Sequence, residues 1–335
     1  MKREPPTSAM DHYLAPWWLP GGHAQTLWAA LYAQRHFGPA PVWQRTRWDT
    51  PDGDFIDVDL STHTVPPGAP LLVLFHGLEG SSASQYAVAF ADFAASEGLA
   101  FAVPHFRGCS GEINRAPRAY HSGDFQEIDW ILNRLATEHP GRPLLAVGIS
   151  LGGNALLRWA GEMGEGAAHT VRAVAAVCSP LDLAAGGYAI GRGFNRLVYT
   201  RMFLASMVPK ALRKLAQYPG LFDREALLAA RDLYSFDNLF TAPLHGFRDT
   251  DDYWARASAK PVLAQIRVPA LALNARNDPF VPAASLPTPR DAGPCVTLWQ
   301  TAQGGHVGFP ALRPPLRSHV RAMPEAVGRW LLAHL

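Results

Sequence analysis

Cysteine is scarce in this sequence, which has only three among its 335 residues. Cys109, Cys178 and Cys295 are an odd number and lie far apart, a distribution that favours neither a disulfide framework nor a zinc site. Two of the three have apolar neighbours in the sequence. We therefore expect reduced, buried thiols that take no part in chemistry.

Long runs of one charge and long apolar runs are also missing. Lys and Arg total 30 against 28 Asp and Glu, and no basic cluster marks a surface for nucleic acid. No segment reaches the roughly 18 apolar residues of a membrane span, and the opening MKREPPTSAMDHYLAPWW lacks the apolar stretch of a signal peptide. The sequence predicts a cytoplasmic protein with no nucleic-acid partner and no stable membrane anchor.

Motifs for cofactors and metals are missing as well. No G-x-G-x-x-G follows a predicted strand, and the Gly152–Gly153 pair lacks the lysine of a phosphate loop, so no cofactor is predicted. His23 and the Asp249–Asp252 cluster could hold a metal ion or could serve structure alone. Without an H-E-x-x-H motif or a calcium-loop spacing, the structural interpretation is favoured and no metal site is predicted.

Short, continuous apolar runs are the main pattern that is present. They occupy residues 71–75, 99–104, 144–149, 171–177 and 270–274, and helical patterns lie at 83–97, 122–138 and 152–163. Runs of this kind are typical of strands buried on both faces, and their alternation with helices predicts β-α-β units. A hairpin over residues 42–60 precedes them, and a strand at 295–300 and a helix at 322–334 follow. We expect an α/β fold with a mostly parallel central sheet flanked by helices.

The alternation stops at residues 181–260, which contain helical patterns and no convincing strand. We expect a helical cap insertion here, with the core formed by residues 1–180 and 261–335 and an N-terminal arm over residues 1–40. The insertion carries an apolar cluster and no well-placed charge for an anionic acyl group. That cluster would either line a pocket or form the cap's own core, and it comprises Met202, Phe203, Leu204, Met207 and Val208.

A single serine stands among glycines where one apolar run gives way to a helical pattern. In Gly148-Ile149-Ser150-Leu151-Gly152 the spacing is G-x-S-x-G, which is typical of a nucleophilic serine on a sharp strand-to-helix turn. The glycines are needed there because the strained turn leaves no room for side chains. The alternative is a glycine-rich helix start in which Ser150 acts only as a cap.

Two later residues supply what a nucleophilic serine requires, a general base and a carboxylate that orients it. Asp278 follows the apolar run at 270–274, and His306 lies in a glycine-rich loop after the next strand. Both therefore fall at the carboxyl ends of strands, where sites form in α/β sheets. Each taken alone could be an ordinary turn or loop residue, but the order Ser150, Asp278, His306 predicts a catalytic triad.

Acyl transfer also needs donors for the developing oxyanion. We expect one to be the backbone N–H of Leu151, at the start of the helix after the serine. The segment FHGLEG at 75–80 has the H-G-x-x-G form expected of the second donor loop, and the backbone N–H of Leu78 is assigned to it. His76 is expected to brace this loop rather than to take part in chemistry.

Several longer blocks carry a family resemblance. HGLEGSS, HFRGCSGEINRAPRAYHSGD, GISLGGN, FTAPLHGFRDTDDYW, RVPALALNARNDPF and WWLPGGHAQT together resemble the YheT-like branch of the α/β-hydrolase superfamily, the AB-hydrolase 4 family, over nearly the whole chain. The resemblance implies the α/β-hydrolase fold, with Ser150, Asp278 and His306 as charge-relay residues. Relatives usually read DDP where this chain has Asn277-Asp278-Pro279, which leaves Asp278 as the acid. Eukaryotic relatives have a membrane anchor that this chain is expected to lack.

The activity expected from these observations is that of a serine carboxylesterase on neutral, short- to medium-chain acyl esters. Two alternatives stay open. An alcohol instead of water could take the acyl group from Ser150, which would make the protein an acyltransferase. A non-catalytic protein could also bind ligands on the same fold, although the complete triad argues against it. The partner predicted is a small-molecule acyl ester, and the oligomeric state cannot be predicted from the sequence.

Overall fold

The computed structural model describes residues 10, 12–313 and 317–335, so most of the opening stretch of the predicted arm, residues 1–9 and 11, lies outside the described residues. Eight strands form the main sheet, and a short ribbon of two strands follows. In chain order they are β1 Trp43–Asp49, β2 Phe55–Ser61, β3 Leu71–Phe75, β4 Ala100–Pro104, β5 Leu144–Ile149, β6 Ala173–Val177, β7 Ala270–Ala275, β8 Val296–Thr301, β9 Ala311–Arg313 and β10 Arg317–His319.

The main sheet has the strand order β1-β2-β4-β3-β5-β6-β7-β8. β1 and β2 form the predicted antiparallel hairpin, and β2 pairs antiparallel with β4. All remaining pairs, from β4 to β8, are parallel. The expectation of an α/β fold with a mostly parallel sheet is therefore confirmed, and each apolar run of the sequence forms a strand.

Helices cover both faces of the sheet. In chain order the helices are α1 Gly21–Leu31, α2 Gln85–Ser96, α3 Phe125–Glu138, α4 Leu151–Met163, α5 Leu183–Ile190, α6 Gly193–Asn195, α7 Arg201–Gln217, α8 Arg224–Ala229, α9 Leu233–Phe236, α10 Ala242–Leu244, α11 Thr250–Ala257 and α12 Ala322–Leu332. α2 and α12 pack on one face, where Phe90 and Leu331 are buried. α3 and α4 pack on the other, where Leu132 and Trp159 are buried. Because helices cover both faces, β3, β5, β6 and β7 are buried along their whole length.

Residues 181–260, all of which the structure describes, form helices and no strand. They follow β6 and precede β7, so the segment begins at the carboxyl edge of the sheet, and the chain then returns to the amino end of the parallel strand β7. Its helices bury an apolar cluster of their own, which includes Leu227, Phe236 and Phe240. None of the helices in the described ranges combines the length and the apolar character needed to cross a bilayer.

The predicted arm contains a helix, α1, that the hydrophobic pattern did not indicate. The reason is that its buried residues are Gln25, Thr26 and Ala29, so the face turned inward is mostly polar. The polar groups on that face bond to loops that belong to the site. A helix of this kind has no apolar stripe, which is the feature that sequence patterns detect.

Candidate active site

Ser150 lies on the tight turn between β5 and α4. Its backbone has φ +52° and ψ −117°, a region that residues other than glycine rarely occupy. The turn is held by the Ser150 N–H, which donates to Val177 O at 2.8 Å. Strained backbone of this kind persists only where the surrounding structure enforces it, and it is found most often at functional sites.

The glycines around Ser150 are required by close packing. A Cβ on Gly148 would lie 2.4 Å from Gly152 O, because α4 starts directly against β5. A Cβ on Gly152 would lie 2.4 Å from Phe75 O, where α4 crosses the end of β3. A Cβ on Gly153 would lie only 1.9 Å from Ser179 Oγ. All three distances are far below van der Waals contact, so any side chain would displace the turn that carries the serine.

Asp278, His306 and Ser150 form a continuous hydrogen-bonded chain. His306 Nε2 lies 3.0 Å from Ser150 Oγ, and His306 Nδ1 lies 2.8 Å from Asp278 Oδ2. The other oxygen, Asp278 Oδ1, accepts from the backbone N–H of Phe280 at 2.7 Å and of Val281 at 3.3 Å. A neutral imidazole that donates to the carboxylate through Nδ1 can accept the serine proton at Nε2. The structure therefore brings the three predicted residues together.

The loop that carries His306 is fixed by side chains from α1 and from the loop after β7. The His306 N–H donates to Thr26 Oγ1 at 2.8 Å, and the Gly304 N–H donates to Gln25 Oε1 at 2.9 Å. Asn277 Oδ1 accepts from the Gly305 N–H at 3.0 Å. Gln25 and Thr26 were not predicted from the sequence as positioning residues, although the GGHAQT block that contains them could have indicated them.

The loop after β3 lies beside the serine turn. Leu78 and Leu151 both line the cavity that Ser150 and His306 also line. Leu151 is the first residue of α4, and the first four N–H groups of a helix have no acceptor within it. His76 is fully buried, accepts from the Phe106 N–H at 3.0 Å, and has its pKa lowered to about 3 by burial. A neutral His76 thus links the loops that follow β3 and β4.

Glu79 connects this loop to the helical segment. Its own backbone has φ +57°, and its N–H donates to Tyr120 Oη at 2.9 Å. Tyr120 in turn donates to Glu79 Oε1 at 2.9 Å. From α7, Lys210 Nζ lies 2.8 Å from Glu79 Oε2, which also accepts from the Ser206 hydroxyl. The carboxylate of Glu79 therefore holds this residue, which directly follows Leu78, against α7.

The cavity above Ser150 has a volume of about 1170 Å³ including its mouth. Most of its walls are apolar and come from residues 183–254 on one side and from the sheet loops on the other. The apolar lining residues include Ile113, Leu183, Ile190, Phe203, Met207, Phe240 and Val281.

The apolar cluster predicted in the insertion divides between the cavity and the segment's own core. Phe203 and Met207 line the cavity, while Leu204 and Val208 pack with Phe236 and Phe240. Met202 is 58% exposed. Both open interpretations of this cluster thus hold, each for part of it.

The insertion also contributes charged side chains to the cavity, which the sequence did not predict. Lys210 and Lys214 face it from α7, and Asp237 faces it from the turn after α9. Lys214 Nζ donates to the carbonyls of Asn114 at 2.6 Å and Ala116 at 2.8 Å, and burial lowers its pKa to about 8. These contacts join residues about 100 positions apart, so the local sequence gave no sign of them.

Asp237 is half-buried, and its carboxyl group accepts from two neutral donors. The Thr241 hydroxyl lies 2.6 Å from its Oδ1, and Trp254 Nε1–H donates to its Oδ2 at 3.0 Å. Burial raises the pKa of Asp237 to about 6 despite these bonds.

The side chains considered as metal ligands have structural partners. Asp249 caps α11 by accepting from the Asp252 N–H, and Asp251 accepts from the hydroxyls of Tyr188 and Tyr234. His23 Nδ1 lies 3.2 Å from Tyr199 Oη. Among the described residues, Cys178, Asp278 and His306 have potential ligand atoms within 4.8 Å of one another. Burial raises the pKa of the Cys178 thiol well above its usual range, which disfavours the thiolate that a metal needs.

The three cysteines are free thiols, as expected. Cys178 is buried as expected, whereas Cys109 and Cys295 are only half-buried, so the expectation of burial is wrong for these two.

Comparison with known proteins agrees with this architecture. Residues 70–310 match a family model described as the alpha/beta hydrolase fold. The Escherichia coli protein YheT, which is named as an esterase, is 41% identical over 290 residues, covering 86% of this chain and 84% of that protein.

More distant similarities extend the comparison. The medium-chain fatty acid ethyl ester synthase/esterase 2 of Saccharomyces cerevisiae is 29% identical over 72% of this chain, which spans 58% of that protein. A solved esterase structure from Pyrococcus furiosus superposes with a TM-score of 0.56 over 90% of this chain and 98% of that one, at 14% identity, and so supports the fold alone. From the family match and the identity to YheT, the chain belongs to the α/β-hydrolase family, in its YheT-like branch.

Proposed function

We propose that this chain is a serine carboxylesterase that cleaves neutral, short- to medium-chain acyl esters through an acyl-enzyme at Ser150. The observation that carries the proposal is the chain of contacts from Asp278 through His306 to Ser150 Oγ, at 2.8 and 3.0 Å. The relationship to proteins named as esterases supports ester hydrolysis as the reaction class.

In the first half of the proposed reaction, Ser150 Oγ bonds to the acyl carbon while its proton moves to His306 Nε2. The tetrahedral intermediate then collapses, and the alcohol leaves with the proton that Nε2 returns. Asp278 stays ionised, holds Nδ1–H, and stabilises the imidazolium that forms between these steps. What remains is an ester between the acyl group and Ser150.

In the second half, water attacks the acyl carbon and gives a proton to His306 Nε2. Collapse of the second intermediate releases the carboxylic acid and returns the proton to Ser150 Oγ. Both intermediates carry an oxyanion, which the backbone N–H groups of Leu78 and Leu151 would stabilise. The position of Leu151 in the first turn of α4 supports this role, because the helix dipole favours negative charge there.

The shape and lining of the cavity support the substrate class. Its apolar walls suit an aliphatic acyl chain, and residues 181–260 would serve as a helical cap over the core formed by 1–180 and 261–335. Lys210 is paired with Glu79 and Lys214 with two carbonyl groups, so neither ammonium lacks partners when the cavity is empty. A neutral ester therefore fits better than an anionic one.

Alcohol acyl transfer is the second candidate, in which an alcohol replaces water in the second half-reaction. A relative named as both ester synthase and esterase supports it. Ethanol added to the assay separates the two, because a transferase forms the ethyl ester and a hydrolase forms the free acid.

The location and partners of the chain stay predictions from the sequence. We propose a cytoplasmic enzyme whose partner is a small-molecule ester. No cofactor and no nucleic acid enter the proposed reaction.

Labelling with a fluorophosphonate probe tests the proposal. The wild-type chain should be labelled, and Ser150→Ala should abolish labelling and lower ester turnover by roughly 10⁴ or more, with an unchanged thermal midpoint. Ser81→Ala is the matched control. Ser81 lies in the loop after β3, and its replacement should leave probe labelling and ester turnover unchanged. A labelled Ser150→Ala protein, or an unlabelled wild type, would contradict the proposal and favour a non-catalytic binding protein.

A further inference from the structure

A stretch of the helical segment exposes apolar side chains beside arginines. Phe194 is 49% exposed, Leu197 65% and Met202 58%. Two exposed arginines, Arg196 and Arg201, lie between them along the chain, and a third, Arg192, precedes Phe194. We call these six residues the arginine–apolar face: Arg192, Phe194, Arg196, Leu197, Arg201 and Met202.

Along the chain, the charged residues of this stretch have one sign. Residues 183–222 contain no aspartate or glutamate, and their basic residues are Arg192, Arg196, Arg201, Lys210, Arg213 and Lys214. Within the described part of the chain, no carboxylate forms an ion pair with any of the three arginines of the face. Exposed arginines interleaved with large apolar side chains are the pattern of segments that lie on anionic membrane surfaces.

The face adjoins the candidate active site. Asn195, which lies between Phe194 and Arg196 in the sequence, donates to the carbonyl oxygen of Pro279, the residue after Asp278. The Phe194 ring lies 6.2 Å from the Tyr199 ring. The ring centroids of Tyr199 and Phe280 are 4.5 Å apart, and those of Phe280 and the His306 imidazole are 4.2 Å apart.

The wall of the cavity continues from the same stretch. Ile190 and Phe203, which flank the face in sequence, both line the cavity. A ligand held at the face is therefore next to the space above Ser150.

The chemistry of the face selects one kind of partner. In a symmetric dimer the same patch would meet itself, which would set three arginines against three arginines with no carboxylate between them. An anionic lipid surface instead supplies negative headgroups for the guanidinium groups and an apolar boundary for Phe194, Leu197 and Met202.

We propose that the arginine–apolar face binds reversibly to anionic phospholipid bilayers and delivers esters dissolved in them to the cavity. Delivery rests on the proposed function, whereas binding does not.

Sedimentation with vesicles tests the binding. The full chain should bind vesicles of phosphatidylcholine with 30% phosphatidylserine at 0.1 M NaCl, and weakly at 0.5 M NaCl or without the anionic lipid. R192Q/R196Q/R201Q should bind at least tenfold more weakly. R231Q/R267Q/R290Q is the matched control, because it removes the same charge at exposed positions elsewhere and should bind like the wild type.

Equal losses in the two triple variants would overturn the proposal, since the binding would then reflect net charge alone. Vesicle binding that does not depend on anionic lipid or on the NaCl concentration would also overturn it. So would a dimer in solution that dissociates in R192Q/R196Q/R201Q but not in the control variant.

Delivery is measured separately, with a nitrophenyl ester dissolved either in water or in the vesicles. The face variant should keep the wild-type rate in water and lose at least fivefold on the vesicle-borne ester. If vesicles are bound while the fluorophosphonate probe fails to label Ser150, the binding stands and the esterase proposal fails. Equal rates of the variant and the wild type on vesicle-borne ester would overturn delivery.

Discussion

Lys210 Nζ and Glu79 Oε2 lie 2.8 Å apart, and this contact joins α7 to the loop that follows β3. Glu79 directly follows Leu78, whose N–H is the proposed oxyanion donor. The position of that donor therefore depends on where α7 sits. A shift of α7 away from the sheet would release the carboxylate that holds the strained backbone at φ +57°.

Glu79→Gln should lower kcat by roughly tenfold and change KM less, because a misplaced oxyanion donor weakens the transition state more than the bound substrate. Lys210→Met should have a smaller effect, since Glu79 keeps its bonds to Tyr120 and Ser206. Steady-state kinetics with a thermal melt of each variant provide the measurement. Wild-type kcat in Glu79→Gln would show that Glu79 serves packing only.

Asp278→Asn should lower kcat by roughly 10⁴, because an amide cannot hold the Nδ1–H tautomer of His306. Asn277→Asp is the matched control. It creates the DDP pattern of the relatives and keeps an oxygen for the Gly305 N–H, while it loses the bond from Asn277 Nδ2 to Gln25 Oε1. We expect it to stay within tenfold of the wild type. A greater loss of kcat in Asn277→Asp than in Asp278→Asn would show that Asp278 is not the acid of the triad.

Asp237 should make stability depend on pH. Its folded-state pKa of about 6 exceeds the ordinary 3.8, so the folded chain binds more protons than the unfolded chain between these values. The contribution of this group to the free energy of unfolding is therefore full below pH 3.8 and falls as the pH rises to 6. In Asp237→Asn that fall should disappear, and urea melts from pH 4 to 8 measure it. If the free energy of unfolding changed with pH in the same way in the wild type and in Asp237→Asn, Asp237 would not be the group responsible.

The acyl-chain optimum should lie at medium length. Each buried methylene contributes about 0.8 kcal/mol, so kcat/KM should rise by roughly tenfold or more for every two carbons until the cavity is full. Met207→Trp, which places a larger ring in the cavity wall, should move the optimum to shorter chains. A panel from acetyl to palmitoyl nitrophenyl esters measures both. A steady fall from acetyl onward, or undiminished rates on long chains, would contradict the medium-chain expectation.

The parallel centre of the sheet could be predicted because β3, β5, β6 and β7 are buried on both faces. Runs such as LLVLF at 71–75 are continuously apolar, and they are separated by helical patterns long enough for parallel crossovers. The turn at Ser150 could also be predicted. Only glycine fits at Gly148 and Gly152, so the G-x-S-x-G spacing marks the turn in the sequence.

Long-range polar contacts could not be predicted. Arg107 contacts Asp54 at 2.8 Å and Glu127 at 2.5 Å, and these three buried side chains come from separate parts of the chain. A charged residue in a sequence is ordinarily taken as exposed, so such pairing becomes evident only once the fold is known. The polar face of α1 was missed for the same reason.

The contact between Thr26 and His306 spans 280 positions, and Ser150 precedes His306 by 156. During synthesis at about 5–20 residues per second, Ser150 leaves the ribosome roughly 10–30 s before His306, its proposed base. Throughout that interval the nascent chain carries a hydroxyl with no partner to activate it. The proposed nucleophile therefore meets its proposed base only after the loop that carries His306, which is made late, has docked on α1, which is made early.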